Sequence, residues 1–543
     1  MSDLRFKFES EGTGLTEKLN VVNFEGYEAI SQLYRFNITL VSNSDDIDAD
    51  DMLNNTATLT IKSHDGNTSV PYHGMLCEFE QLGRSNDFFF YRAVLVPRLW
   101  KLTLNKFNDV YTGDKTIPQI IESVLNDNGL SPFDYEIALK NPFAYRGRSF
   151  ICQYQESSFN FISRWMEKEG LYYYFDQGFM GFGSDKLKIT DFKESQPVLS
   201  IKHLTYCAPE DLQTAEQDSC IFDFRARQVA TPQKVIVQDY NYRKADLADG
   251  LKSDSFVDMM HGHGDVMHYG ENLRDTGEAS HLATIRAEEI KCRQKTYKGK
   301  ATAVGLRAGN MAAISNHFRF SLNGAYTITA VKHTGTQAGV LLAGAATPYT
   351  EQQSGTVYEC EIDAIGAGTQ FRAASVTPRP SIAGTLSALI DDEGSGKYAQ
   401  LNEYGDYKVE LMYDLSDKFS NKGSSWVRMA SPYAGPKNGM HFPLLKGTEV
   451  LLAFMGGDPD QPVIIGAVSN SESPNVVTDE NVKMNGVSTA GGNMLAMCDD
   501  DGAQGVCISS PSSGTVMFMG EMGSFDKDPV PPMPFDLTQI PKL

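Results

Sequence analysis

Along the first 110 residues the apolar positions recur every second residue. Residues 19–24 (LNVVNF) and 34–40 (YRFNITL) alternate apolar with polar, the period of a strand with one buried face, and 88–95 (FFFYRAVL) is a further β-rich run. Residues 45–51 between them form an acidic loop. The period then changes. Ile117, Ile120, Ile121 and Val124 stand at i, i+3, i+4 and i+7; Thr116 can cap the start, Pro118 sits in the first turn and Gly129 can end it. A second helix is predicted over 158–169, with Phe159, Ile162 and Met166 on one stripe, Ser157 or Ser158 as cap and Gly170 as stop. An aromatic strand, 171–175 (LYYYF), follows at once. A weaker helix covers about 278–295, and strands resume over 301–333.

Residues 366–381, with Gly, Ala, Pro378 and Pro380, read as a linker. From 381 to 469 strands and turns dominate, with 402–410 and 450–454 the clearest strands. This helix-poor stretch suits a small β-barrel. After Pro474 short strand-like pieces alternate with polar turns: 493–498 (NMLAMC), 505–509 (GVCIS) and 515–519 (TVMFM). Leu495 and Met497, Val506 and Ile508, and Val516 and Phe518 each lie two apart, so each strand has an apolar face. Such a segment has open edges and buries that face only with partners. Residues 526–543 are Pro-rich and read as extended.

Composition narrows the function classes. A chain of 543 residues has room for three or four domains. The net charge of -21 argues against nucleic acid as a partner, since phosphate binding needs clustered Lys and Arg. Eight widely separated cysteines without a CxxC pair read as buried free thiols of a reducing compartment. The N-terminus (MSDLRFKFESEG) lacks the apolar core of a secretory peptide, and no run approaches a membrane span. The expectation is cytoplasmic assembly, with any export independent of a signal peptide.

Three segments then carry a family resemblance. Residues 150–157 (FICQYQES), running into 158–175 (SFNFISRWMEKEGLYYYF), resemble the "QYRES, helix, EEG, aromatic strand" signature of the VgrG (valine–glycine repeat) family of type VI secretion spikes, with Gln155 where that pattern has Arg. Residues 402–409 (NEYGDYKV) with 425–430 (SWVRMA), and then 439–444 (GMHFPL), 447–450 (GTEV), 457–462 (GDPDQP) and 465–466 (IG), resemble the OB-type barrel of the same family.

The resemblance implies a mainly β fold with an α+β hub. It would comprise hub β-barrels with helical insertions over 1–375, an OB-type barrel over 381–470, a short trimeric β-needle over 471–525 and the tail at 526–543. It implies a structural spike, mounted as a homotrimer on the inner tube (Hcp-like) protein, contacting baseplate proteins, a PAAR-type tip protein and non-covalent effectors, and touching a target membrane transiently. Gln153, Tyr154, Glu156, Trp426, Gly457, Asp458, Pro459, Pro462 and Gly466 are its structural motif residues. Val516, Phe518 and Met519 are placed by position alone as the tip-docking face. A tail hub of a prophage or tailocin is the alternative, and an effector carrier with its own enzyme is a third.

Candidate chemistry adds little. His261, His263 and His268, with Asp258 and Asp265, have spacing that could gather a metal, but Gly262 and Gly264 favour an ordinary loop and no HExxH accompanies them. Residues 394–397 (GSGK) fail as a P-loop, because Asp391 stands where the first Gly belongs and Tyr398 replaces Ser or Thr. No GxSxG is present. Met494, Met497, Met517 and Met519 read as core filler. The interval between Gly466 and Asn485 is too short for an inserted domain of at least ~50 residues. The expectation is no catalytic residue, no metal and no cofactor.

Overall fold

The computed structural model describes residues 4–520 except 12–18, 54, 179–184, 196–201, 209–216, 246–250, 343–355, 392–394, 415–423, 425 and 503. The tail at 526–543 and Gly394 of the GSGK run lie outside the described residues. The chain divides into two compact units: Met1–Ala383 with Asp414–Ser416 and Met455–Gln461, and Gly384–Tyr413 with Asp417–Phe454 and Pro462–Leu543.

The first unit is built on strands that close twice. Phe6–Ser10, Thr56–Lys62, Ser69–Ser85, Phe88–Val96, Arg35–Ser42 and Asn20–Ala29 pair in that order, and the last returns to the first, making a six-stranded barrel. Gly324–Thr336, Met311–Ser315, Lys202–Tyr206, Cys220–Gln228, Lys295–Ala301 and Val357–Gly366 close likewise. Asn20–Ala29 and Gly324–Thr336 pair antiparallel, so the two barrels share a seam. Closure removes the open edges that isolated strands would expose. The alternation read in the sequence is what fills the barrels: Phe24, Phe36, Ile38 and Leu40 all point into one core with Phe6 and Tyr72.

Polar groups fix the seam. His333, fully buried, is hydrogen-bonded to Glu28 Oε1 at 3.0 Å and to the Tyr358 hydroxyl at 2.9 Å. Gln337, also fully buried, donates to Phe6 O and Val21 O at 2.9 and 2.7 Å and accepts from Phe6 N. Buried polar groups satisfied in this way specify one register rather than several. Neither residue stood out in the sequence, because His333 sits alone among the apolar residues of its strand and Gln337 just beyond the strand's end.

The predicted helices form at Ile117–Asp127, with the Thr116–Gln119 capping box, at Ser158–Glu169, capped by Ser157, and at Thr276–Gln294, capped by Asp275. The second helix buries Phe161 and Trp165 besides Ile162 and Met166, a wider face than the expected stripe. Gly170 ends it in the left-handed region (φ 75°), and Leu171 N reaches back to Met166 O.

Residues 366–381 are irregular but are not a solvated linker. Phe371 and Ala373 are buried against Tyr172 and Cys292, and the Arg372 guanidinium donates to Gly170 O and Asp191 O at 2.6 and 2.7 Å while pairing with Glu288. Proline and glycine here mark a packed strap.

In the second unit, Lys408–Leu411, Leu386–Asp391, Glu449–Phe454 and Pro462–Ala467 form one sheet, extended by bridges Tyr407↔Val427 and Met429↔Ile464 around buried Ile390, Val409, Val450, Leu452 and Ile464. The strand expected over 402–410 begins only at Lys408. Asn402 Oδ1 accepts from Tyr404 N and Asp406 N, both at 2.9 Å, and this local turn outcompetes the extended ladder. The C-terminal strands, Met484–Ser488, Met494–Cys498, Gly505–Ser510 and Thr515–Gly520, form an antiparallel meander.

Among the described residues, no helix is long and apolar enough to cross a membrane. All eight cysteines are free thiols; Cys77 and Cys207 are only partly buried, against the expectation that all are interior.

Candidate functional site

Two motifs about 300 residues apart in sequence meet in the first unit. The Arg148–Glu156 strand carries Gln153, Tyr154 and Glu156. Both Glu156 oxygens take hydrogen bonds from Arg164 Nε at 3.0 Å, and Arg164 Nη2 adds one at 2.8 Å. The same Nη2 donates to Cys152 O at 2.9 Å, locking the strand to the helix that follows. This pair is almost fully buried, so desolvation pushes the Glu156 carboxyl up and Arg164 pulls it back. Gln153 is fully buried and donates to Glu156 O at 3.1 Å. Gln155, the departure from the family signature, has φ 47° and donates its N–H to Asn108.

The 455–461 segment, which belongs to the first unit, completes the cluster. Asp460 Oδ1 accepts from Cys152 N at 2.6 Å. Asp458 shapes the turn, taking Asp460 N on Oδ1 and Gln461 Nε2 on Oδ2, each at 3.0 Å. Burial, then repulsion from Asp458, lifts the Asp460 carboxyl to about 6 despite Arg164. Gly457 has φ 78°, and a Cβ there would run into Ser381 Oγ. Any side chain at this position would strain the backbone and displace the Ser381 hydroxyl. Glu167 holds the strap, accepting from Val376 N, Thr377 N and Thr377 Oγ1 at 3.1, 3.1 and 2.6 Å. The cluster is thus a set of mutually satisfied ion pairs and caps, suited to fixing backbone segments.

The remaining motif residues of the OB-type region, apart from Pro459, lie in the second unit and do not join the cluster. Trp426 carries the Lys408 ammonium 5.2 Å from its ring centroid. Pro462 and Gly466 lie in the strand paired with Glu449–Phe454, opposite Phe454 and Leu451. Pro459 is buried at the turn of the first unit's 455–461 segment.

At the C-terminal meander the expected apolar face needs correction. Registers set Leu495 opposite Ile508 and Met517, and Met497 opposite Val506 and Met519. Val516 and Phe518 face the other way and pack on Met484, Met494, Ala496, Cys498 and Cys507. Both faces are therefore apolar. One is covered by the chain's own Val477, whereas Leu495, Met497, Ile508, Met517 and Met519 are 37–59% exposed. Val516, Phe518 and Met519 consequently do not form one docking face, and only Met494 of the four methionines read as core filler is buried.

At 258–268, Asp258 Oδ1 accepts from Met260 N and His261 N, and Oδ2 from Gln294 Nε2 at 2.6 Å. The aspartate organises a loop. Among the described residues no group of three or more His, Cys, Asp or Glu side chains converges.

Comparison with known families decides the kinship. The family model described as phage tail baseplate hub (GPD) matches residues 27–339, more than half of the chain. The chain belongs to the phage tail baseplate hub family. A second family model, the type VI secretion system/phage-baseplate injector OB domain, matches residues 405–468 of this hub protein. The resemblance to VgrG spikes is met by curated relatives. The chain is 28% identical over 506 residues to the type VI secretion system spike protein VgrG1b of Pseudomonas aeruginosa, covering 91% of this chain and 65% of that one. It is 28% identical over 464 residues to VgrG1c of the same organism, covering 84% and 60%. The chain thus spans a little under two thirds of these relatives. Among solved structures, the E. coli c3393 protein, a type VI secretion component described as similar to the T4 tail proteins gp27 and gp5, matches with a TM-score of 0.59 and 23% identity, covering 85% of this chain and all of that one. That likeness supports the fold: hub barrels followed by an OB-type barrel.

Proposed function

We propose that this hub-family chain is the spike of a type VI contractile injection machine, acting mechanically rather than as a catalyst. It assembles in the cytoplasm as a homotrimer on the inner tube, and leaves the cell with the tube when the sheath contracts. Its kinship with secretion spikes supports the machine. The observation that carries the trimer is the bare apolar face at Leu495, Met497, Ile508, Met517 and Met519. A four-stranded sheet with one naked face and two edges invites association. Closed symmetry among identical chains covers the face without leaving new edges. Tube, baseplate, tip and effector proteins complete the proposed partnership, and the strand Thr515–Gly520, the sheet's edge among the described residues, would face a tip protein.

Sedimentation velocity at micromolar concentration gives the first test. A stable species of three chains is expected, and a monomer refutes the assembly. Deleting the gene in the producing bacterium is expected to abolish contact-dependent killing and release of the tube protein. Killing that persists, or peptidoglycan hydrolysis by the purified chain, refutes the mechanical reading.

A further inference from the structure

A cavity of about 300 Å³ lies in the first unit between the turn at Pro142–Ala144, the start of the Arg148–Glu156 strand, the end of the Ser158–Glu169 helix and the start of the Thr276–Gln294 helix. Four cations line it, Arg146, Arg148, Lys168 and Arg274, against two carboxylates, Glu169 and Glu278. Asp275 and Glu271 hold Arg146 and Lys168, but neither forms part of the cavity wall. Arg274 is taken up by Glu278 through Nε and Nη2, so with Asp275 and Glu271 behind the wall the charges balance, and the cations that the lining itself leaves incompletely held are Arg148 and the exposed Arg146.

Further observations point the same way. Arg148 is 7% exposed, its Nε has no partner among the described residues, and its Nη contacts are long, 3.2 Å to Glu169 and 3.5 Å to Asn272 O. Arg148, Arg164 and Lys168 all crowd the Trp165 ring at 5.1–5.4 Å. Burial, followed by repulsion from Arg148, brings the Lys168 ammonium down to about 8. Gly277, in the first turn of a 19-residue helix, adds the positive end of the helix dipole. The rest of the wall combines Tyr145 and His281 with apolar residues, Leu273 and Leu282 being buried and Phe143 standing 95% exposed at the mouth. Aromatic and arginine side chains at a rim above an apolar floor are the composition of a binding hot spot.

We infer that this cavity binds an organic carboxylate carried on an apolar or aromatic body, the carboxylate meeting Arg146 and Arg148 and the body packing on Phe143 and Leu282. A free small acid and an acidic side chain beside an aromatic residue in a polypeptide share that chemistry. The site does not depend on the secretion reading.

The full chain would be titrated with phenylacetate, with the blocked dipeptide acetyl-Phe-Glu-amide, with neutral phenylacetamide and with inorganic phosphate, using calorimetry and ligand-observed NMR. Saturable binding of phenylacetate or the dipeptide is expected, with the tighter of the two naming the source. It should weaken at least tenfold in Arg146→Ala, a change at an exposed side chain. Phe143→Ala should weaken the aromatic probes alone. Equal binding of phenylacetamide, equal binding of phosphate, no binding at all, or affinity unchanged in both variants each overturns the assignment.

Discussion

Replacing Asp460 by Asn removes a charge but keeps an oxygen for Cys152 N. The native carboxyl is moved from its ordinary value of 3.8 to about 6, chiefly by burial. A carboxyl whose folded value is raised favours the folded state while protonated, and loses that advantage as pH rises through the folded value. At about 1.4 kcal/mol per tenfold, ionising Asp460 costs the folded first unit about 3 kcal/mol at neutral pH relative to acid. The Asp460→Asn chain escapes that cost. Glu271, Glu278 and Asp275 have lowered values and pull the other way, so absolute stability is a poor readout and the difference between variant and native chain is the right one. That difference should be near zero below pH 4, grow between pH 4 and 6, and level off with Asp460→Asn more stable. Asp460→Ala, which strands the Cys152 N–H at a cost of about 1–3 kcal/mol, should be less stable than Asp460→Asn at every pH and less stable than the native chain in acid. Urea titrations of the first unit's transition across pH 4–8 supply the measurement. A variant less stable than native at pH 8, or a difference independent of pH, refutes the assignment of a desolvated carboxylate.

Arg164→Ala should cost ~3–5 kcal/mol by leaving Glu156 buried and unpaired, and adding Glu156→Gln should recover part of the loss in thermal denaturation. Gly457→Ala should destabilise the first unit by about 1–3 kcal/mol, since it meets both a left-handed backbone and Ser381 Oγ; a neutral melting temperature contradicts the close approach. Ile508→Lys should leave circular dichroism unchanged and dissociate the assembly in sedimentation, because Ile508 is 46% exposed on the bare face.

Much of the hub was readable because its information is local. The period of two in residues 19–40 and the capped period near 3.6 at 117–124 and 158–169 each act within a dozen residues, and the structure keeps them. The turn at 402–406 was misread as strand because a single Asn side chain there competes with the ladder. What no local pattern carries is the meeting of the two motifs. Glu156 and Asp460 read as polar residues in separate signatures, and Cys152 as a buried thiol. Only the fold shows that the Cys152 backbone links the two, its carbonyl accepting from the Arg164 that holds Glu156 and its N–H donating to Asp460. The strap at 366–381 was opaque for the same reason: its proline and glycine report backbone irregularity, while Arg372 reports where the strap is fastened.

The C-terminal sheet shows where alternation itself becomes ambiguous. Residues 494–498 read Met-Leu-Ala-Met-Cys, apolar throughout, so period two is present in either phase and the sequence does not say which face is inward. The choice falls to cross-strand register and to the segment preceding the sheet, whose Val477 packs against the cluster of Met484, Met494, Ala496, Cys498 and Cys507. Once that face is taken, Leu495, Met497, Ile508, Met517 and Met519 are left outward in rows across adjacent strands. A sheet selected only to remain soluble as a single chain would carry polar residues at those five positions, as the outer faces of antiparallel sheets ordinarily do. Among the described residues they remain 37–59% exposed, so the free energy they can contribute, about 25 cal/mol for each Å² of apolar surface covered, is left for association. The apolar excess that blurred the sequence reading is therefore the same feature that argues for identical chains meeting along this face.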